Sequence, residues 1–538
     1  MMNTHIHIDA TQPIGPLRPI WRFFGYDEPN YTYMRDGQKL LSQLAALSSE
    51  TVFVRTHNLL TTGDGTPALK WGSTNAYTVD DAGQPRYDWT IVDRIFDTYL
   101  DRGMKPYVQI GFMPEAMSTQ PTPYQHNWIP GGNNPLATGW TYPPKDYGKW
   151  AELVFQWVRH CIEKYGQAEA EQWYWEVWNE PNIFYWQGTP QEYFALYDHA
   201  VDAVKRALPT ARVGGPEIAG TRTPEASQFL RDFLEHCLQG TNYATGQTGA
   251  PLDFIAFHAK GAPRMVDGHV RMGLAEQLQD IDRGFEIVAS FPEFKNTPIV
   301  IGESDPDGCA ACRDIVYPQN AYRNGTLYAS YTAATFARKH ELADKHGVNF
   351  EGALTWAFEF EDQPYFAGFR VLATNGIGLP VLNVFRMFGL MRGQRLRVQS
   401  AAAGANTLCV TGVHDAPDVH ALASLNNNEV CVLVWHYHDD DLPAPAAAIE
   451  LSLTGLPVPN APLLLHHYRI DQTHSNAYEA WKRMGAPQQP TAEQVAALEQ
   501  ASQLEMLDSP AWVHASDDAL TLRFALPRQG VSLLRLTW

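Results

Sequence analysis

Short apolar runs alternate with amphipathic stretches over most of this chain. Between about residues 20 and 393, apolar runs at 21–26, 52–55, 106–111, 174–179, 213–215, 254–258, 299–302 and 353–358 have strand length, and helix-period patterns follow most of them. The clearest helical pattern covers 191–208, where Tyr193, Tyr197, Val201 and Val204 share one stripe and charged residues fill the opposite face. Thr189, Pro190 and Glu192 give it a start signal: an N-cap side chain, a proline at the first helical position and a glutamate that reaches back to the cap. The same periodicity predicts helices over 87–102, 145–165, 224–238, 274–290 and 320–346. Eight strand–helix units are the order expected of an α/β fold of the (β/α)8 TIM-barrel type, whose chemistry sits on loops at the C-terminal ends of the strands. A doubly wound open sheet would place a G-x-G-x-x-G after the first strand, and none is there.

After Gly393 the period changes to two. Runs at 419–425 and 429–436 alternate around Asn426-Asn427-Asn428, a hairpin signal, and 448–453, 463–469, 520–525 and 531–536 read as further strands. Between them, residues 477–506 hold a Pro- and Gln-rich turn and a short helix. The expected organisation is a barrel over 15–393 and a C-terminal β-sandwich over 394–538. The alternating His5-Ile6-His7-Ile8 suits an extra sandwich strand contributed by residues 1–14. A metal on His5 and His7 is the lesser reading of that strand face.

Composition narrows the functions. A 45% apolar, 18% charged chain of 538 residues is an ordinary globular one, long enough for two to four domains. A formal net charge of −19 argues against a nucleic-acid partner, which needs basic patches, and is compatible with a neutral sugar. No apolar run approaches the ~20 residues of a membrane span. The first residues carry neither a basic nor an apolar leader segment, so a cytoplasmic location is expected, with a secreted or periplasmic one open if the sequence is trimmed. Six cysteines make no disulfide framework; Cys309-x-x-Cys312, without a second pair or a nearby His, reads as a reducible disulfide or two thiols rather than a zinc site. No phosphate loop, Rossmann fingerprint or H-E-x-x-H is present, so neither a cofactor nor a metal is expected.

Candidate chemistry concentrates at strand ends. Trp178-Asn179-Glu180-Pro181 closes the aromatic run Trp173-Tyr174-Trp175-Glu176-Val177. A carboxyl at the end of a buried strand, among tryptophans, has its charged form disfavoured, which suits a general acid. Glu303 ends the seventh run, Thr297-Pro298-Ile299-Val300-Ile301-Gly302-Glu303, too far along the chain for any local helical pairing with Glu180. Two carboxyls facing across a polar, aromatic cleft are what glycosidic hydrolysis requires: one protonates the leaving oxygen and the other attacks or activates water. Glu115 and Glu217, each beside a proline at a strand end, are further candidates, though structural hydrogen bonding explains them slightly better. His57 and His258 taken alone read as buried, satisfied histidines.

With a Glu ending the seventh strand, Trp-Asn-Glu-Pro resembles the clan of retaining (β/α)8 glycoside hydrolases. Val54-Arg55-Thr56-His57-Asn58, the phrase ending Gly111-Phe112-Met113-Pro114-Glu115, Asp253-Phe254-Ile255-Ala256-Phe257-His258 and Asp362-Gln363-Pro364-Tyr365-Phe366 narrow the resemblance to glycoside hydrolase family 39. That family holds β-xylosidases and α-L-iduronidases. The resemblance implies Glu180 as acid/base and Glu303 as nucleophile. It implies Asn179 on the sugar 2-hydroxyl, His57, His258 and Glu361 on other hydroxyls, and Trp356 as the subsite floor. Lys260 stands where many members have an aromatic residue, a departure that bears on the sugar. The expected activity is an exo-acting β-D-xylosidase working by double displacement on a small or oligosaccharide substrate. An α-L-iduronidase, with Lys260 or Arg370 meeting the sugar carboxylate, is the alternative. A catalytically silent carbohydrate-binding protein is a third, disfavoured by the presence of both carboxyls. The long segment 117–146 is expected, with Tyr185 and Trp186, to wall the cleft.

Overall fold

The computed structural model describes residues 2–133, 135–458 and 462–538. Eight parallel strands close into a barrel: Phe23–Tyr26, Phe53–Thr56, Lys105–Ile110, Tyr174–Val177, Arg212–Ile218, Phe254–Lys260, Ile299–Asp305 and Phe350–Trp356, the last pairing with the first. All eight expected strands are present because short runs rich in apolar residues stand out from the amphipathic helices between them. The expected helices form as Thr90–Leu100, Tyr147–Tyr165, Pro190–Ala207, Pro224–Gln239, Leu274–Ala289 and Thr326–His346. The last is preceded by a 3-10 stretch, Pro318–Asn324, which explains its later start. The cap at Thr189 is a reciprocal box with Glu192, a motif that contributes about 1 kcal/mol to a helix start. A first barrel helix, Arg35–Ala45, escaped the periodicity because its opening turn, Arg35-Asp36-Gly37-Gln38-Lys39, carries no apolar side chain.

Alternation along the strands stacks the barrel interior in layers. At the bottom the rings of Phe23, Phe53, Tyr107, Tyr174 and Phe254 meet edge-on and stacked, with centroids 4.9 to 6.4 Å apart. Two residues further along three of these strands the filling becomes polar: Arg55, Gln109 and Glu176 are fully buried. Two further still come His57, His258, Glu303 and Trp356, at the mouth. Gly25 leaves room for that tryptophan, since a Cβ there would stand 2.6 Å from the Trp356 ring.

After the barrel comes one ten-stranded sheet that curls on itself. The N-terminal strand Met2–Pro16 lies inside it, antiparallel to Gln394–Ser400 and parallel to Ala447–Thr454. Strand Glu429–Tyr437 shows why the sheet must be two-sided. Val430, Val432 and Val434 face the sheet's own core with Ile6, Ile8, Leu451 and Leu534, while Leu433, Trp435 and Tyr437 join the barrel's core. A buried ion pair, Arg338 to Asp418 at 2.7 Å, fixes this second face to helix Thr326–His346. Segment 477–506 contains two helices, Ala477–Arg483 and Ala492–Ala501, rather than one. Cys309 and Cys312 form a disulfide, and the other four cysteines are buried thiols. Among the described residues no helix is long and apolar enough to cross a membrane.

Candidate active site

The barrel mouth collects the side chains that follow strands two, four, five, six and seven. Glu303 projects where strand seven slips register against strand six between Ile301 and Glu303, and Glu217 where strand five slips between Pro216 and Ile218. Such bulges redirect a side chain at a strand end. Gly302 permits the second, because any Cβ there would overlap the Glu217 carboxylate. Trp178, Glu180 and Glu217 hold left-handed backbone angles, φ of 72°, 45° and 54°, and the Glu180 amide donates to the Glu217 carbonyl at 2.8 Å. Left-handed backbone at three non-glycine residues persists only where the surroundings enforce it.

Glu180 and Glu303, together with His258, bring one ligand-type atom each to within 4.8 Å of one another. The two carboxyls sit in different settings. Glu303 is nearly sealed; Lys260 Nζ lies 2.6 Å from its Oε2, and Arg55 and His57 approach its Oε1 at 3.4 and 3.6 Å. Burial alone would raise its pKa, but Lys260, His258, His57 and Arg55 hold it well below the usual carboxylate range. Glu180 keeps some access to solvent, and its Oε1 pairs with His258 Nδ1 at 2.8 Å. One carboxylate held as an anion and a second open to the mouth can act as nucleophile and proton donor.

A second set of charges lies beneath. The Arg55 guanidinium chelates Glu176 (2.6 Å from Nη2 to Oε1) and donates to Asn179 Oδ1 at 2.9 Å, so the Asn179 amide is fixed with its oxygen occupied. His258 Nε2 lies 3.0 Å from Glu217 Oε2. Burial would neutralise His258, yet Glu303, Glu180 and Glu217 raise its pKa to about 9. Burial would raise Glu217, yet Arg55, Glu176 and His258 bring it to about 2. His258 is therefore held as an imidazolium, its two ring nitrogens turned to Glu180 and Glu217. Glu180, His258 and Glu303 have the donor types of a cation site, but a protonated His258 and the Lys260 ammonium already supply its positive charge.

Of the residues expected from sequence, Glu180, Glu303, His258, His57 and Asn179 converge here. Trp356 packs under them, 4.3 Å from the His57 ring, with the Arg55 guanidinium 5.0 Å over its face. Glu361 goes elsewhere: its Oε2 accepts from the Asp36 amide at the start of the first barrel helix. Glu115 is exposed, while Glu217 is fully buried within the network. Arg370 is buried behind the floor, donating to the Trp356 carbonyl at 3.0 Å and to Asp307 at 2.9 Å. The long segment after strand three does wall the mouth, through His126, Leu136 and Trp140, joined by Tyr185; Trp186 instead packs edge-on behind, against Trp178. Asp27 and Lys70, a buried pair 3.3 Å apart in the same pocket, were not anticipated. Asp27 had a signal: Tyr26-Asp27-Glu28-Pro29 puts acids at a strand end before a proline, as Glu180-Pro181 does. Lys70, in a loop of no regular pattern, had none.

A family model described as glycosyl hydrolases family 39 matches residues 4–514. The chain is 26% identical over 472 residues to a beta-xylosidase of Caldicellulosiruptor saccharolyticus, covering 84% of each. It is 27% identical over 525 residues to an alpha-L-iduronidase of Mus musculus, covering 91% of this chain and 74% of that one. Its fold superimposes on a monomeric beta-xylosidase from Caulobacter crescentus CB15 with a TM-score of 0.76, at 22% identity over 99% of both chains.

Proposed function

The chain belongs to glycosyl hydrolases family 39, and on that premise we propose that it is an exo-acting, retaining β-D-xylosidase releasing xylose from xylo-oligosaccharides. The observation that carries the mechanism is the approach of Glu180 and Glu303, whose oxygens lie within 4.8 Å. Retaining pairs stand about 5–5.5 Å apart, whereas inverting pairs need about 6.5–9.5 Å to admit a water. In the first step Glu303, held ionised, attacks the anomeric carbon while Glu180 protonates the departing glycosidic oxygen. In the second, Glu180 takes a proton from water, which cleaves the glycosyl ester and restores the original anomer. Asn179, its oxygen committed to Arg55, offers its NH2 to the 2-hydroxyl. His57 and His258 lie within reach of ring hydroxyls, and Trp356 supplies the floor. Residues 15–393 would form the catalytic unit, with 394–538 and the strand from 1–14 as its buttress.

Lys260 favours a second reading. An α-L-iduronide shares the hydroxyl stereochemistry of a β-D-xyloside and adds a carboxylate at C5, and Lys260 Nζ sits beside Glu303 and within 3.0 Å of Asp305. Steady-state rates on nitrophenyl β-D-xyloside and on an aryl α-L-iduronide separate the two. The xylosidase reading expects turnover of the xyloside with little on the iduronide. The reverse order, with Lys260→Met costing the iduronide rate about 10²-fold or more, would replace it.

A further inference from the structure

The pocket beside Glu303 ends in a charged pair that double displacement does not use. His57 stands between them, its Nε2 3.6 Å from Glu303 Oε1 and 3.5 Å from Asp27 Oδ1. Beyond it, Lys70 Nζ is 3.3 Å from Asp27 Oδ2, and both side chains are more than nine-tenths buried. With His57, His126, Trp140 and Tyr185 they line a narrow recess with about 10 Å³ of free volume. A space of that size takes about one water or one hydroxyl group, the edge of a ring and not the whole of it.

The lining is built for a polar guest. Among the described residues, His57 Nδ1, His126 Nδ1 and Trp140 Nε1 are all buried without a hydrogen-bond partner. Each such orphan is destabilising, and a bound hydroxyl would relieve it. Lys70 is held for the purpose: its backbone is left-handed (φ 52°) and its amide donates to Glu28 Oε1 at 2.6 Å. Burial would strip the lysine of its proton, but Asp27 keeps it charged. A carboxylate beside an ammonium offers an acceptor and a donor at the spacing of two neighbouring hydroxyls. When the anomeric carbon faces Glu303, the carbons across the ring are C3 and C4, and the lining beyond His57 is what they meet.

Resting on the retaining-glycosidase reading above, we infer that Asp27 and Lys70 form the closed end of the sugar pocket. There they read the C3 and C4 hydroxyls of a single terminal pyranose and confine the enzyme to chain ends. Asp27 thereby fills the role that the sequence suggested for Glu361, whose carboxylate caps a helix instead.

Substrate-side deletion tests this without depending on any variant's folding. Wild-type enzyme should hydrolyse an aryl 4-deoxy-β-D-xyloside at least about 10²-fold more slowly than the parent, since a site built to bond a hydroxyl rejects the analogue that lacks it. A xylo-oligosaccharide capped by 4-O-methylation at its non-reducing end should resist cleavage. In Asp27→Asn and in Lys70→Met the parent rate should fall toward that of the deoxy substrate, leaving a discrimination of less than about tenfold. Equal wild-type rates on parent and deoxy substrates, cleavage of the capped chain, or unchanged discrimination in a folded Asp27→Asn would each overturn the inference while leaving retaining hydrolysis intact. Absence of wild-type turnover on every glycoside would instead sink the underlying reading, and this inference with it.

Discussion

Glu217 is sealed beneath the mouth, yet its contacts give it a measurable influence on Glu180. Its carbonyl holds the Glu180 amide, and its carboxylate faces the far nitrogen of the histidine that donates to Glu180. The groups facing His258 are Glu217 and Glu303 from the two neighbouring strands and Glu180 from the end of strand four, while Lys260 on its own strand and Arg55 beneath pair with Glu303. Because the folded state raises His258 to about 9, the imidazolium is present below that pH and lost as pH rises through it. Glu217→Gln removes one of the anions that sustain the charge, so the alkaline limb of kcat/KM should move to lower pH. The loss should be largest on substrates with poor leaving groups, where acid catalysis contributes about 10²–10⁴-fold. A lowered rate with an unmoved pH profile, equal on good and poor leaving groups, would reduce Glu217 to a packing residue. At this scale the sequence revealed Glu180 and Glu303, because an acid ending a buried strand is costly unless used. It hid the Glu217–His258 and Arg55–Glu176 pairings, which depend on which strands are neighbours across the barrel.

Elements were legible in proportion to the contrast of their patterns. Barrel strands are short runs rich in apolar residues and the sandwich strands alternate, so both appear in the sequence; Ala405–Thr411, Glu505–Met506 and Ala511–His514 are too short to show a period. Helix Thr326–His346 is a different case. It is buried along most of its length between barrel and sandwich, and so encloses Lys339, whose Nζ has no hydrogen-bond partner. Burial, only partly opposed by Asp305, lowers that lysine to about 7. The folded chain thus disfavours a proton that the unfolded chain keeps up to about pH 10.4, so this residue's penalty is full below pH 7 and fades as pH rises toward 10. Lys339→Met, close in volume and apolar, should raise the melting temperature at pH 6–7, by a gain on the order of a few kcal/mol that shrinks at higher pH. A variant no more stable than wild type at pH 6 would mean that water or a rearranged partner satisfies the lysine.

For the molecule as a whole, the sandwich is tied to the barrel by the two-faced strand Glu429–Tyr437 and the Arg338–Asp418 pair, which suits a rigid support for the helix behind strands seven and eight. That rigidity matters because the mouth crowds Glu303, Glu180, His258, His57, Lys260 and Arg55 into one buried electrostatic unit, and small displacements would alter every charge in it. Barrel and sandwich were both foreseeable from the change in period near residue 393. That one sheet curls to make the sandwich was not, since register across distant strands leaves no local mark. The proposed chemistry requires that Glu303 become covalently attached to the sugar. Incubation with an activated 2-deoxy-2-fluoro-β-D-xyloside, followed by peptide mass mapping, tests this directly. Double displacement predicts time-dependent inactivation and a fluoroxylosyl group on the peptide carrying Glu303, absent in Glu303→Gln. A label on any other residue, or complete turnover of a natural aryl xyloside with release of the opposite anomer, would contradict it.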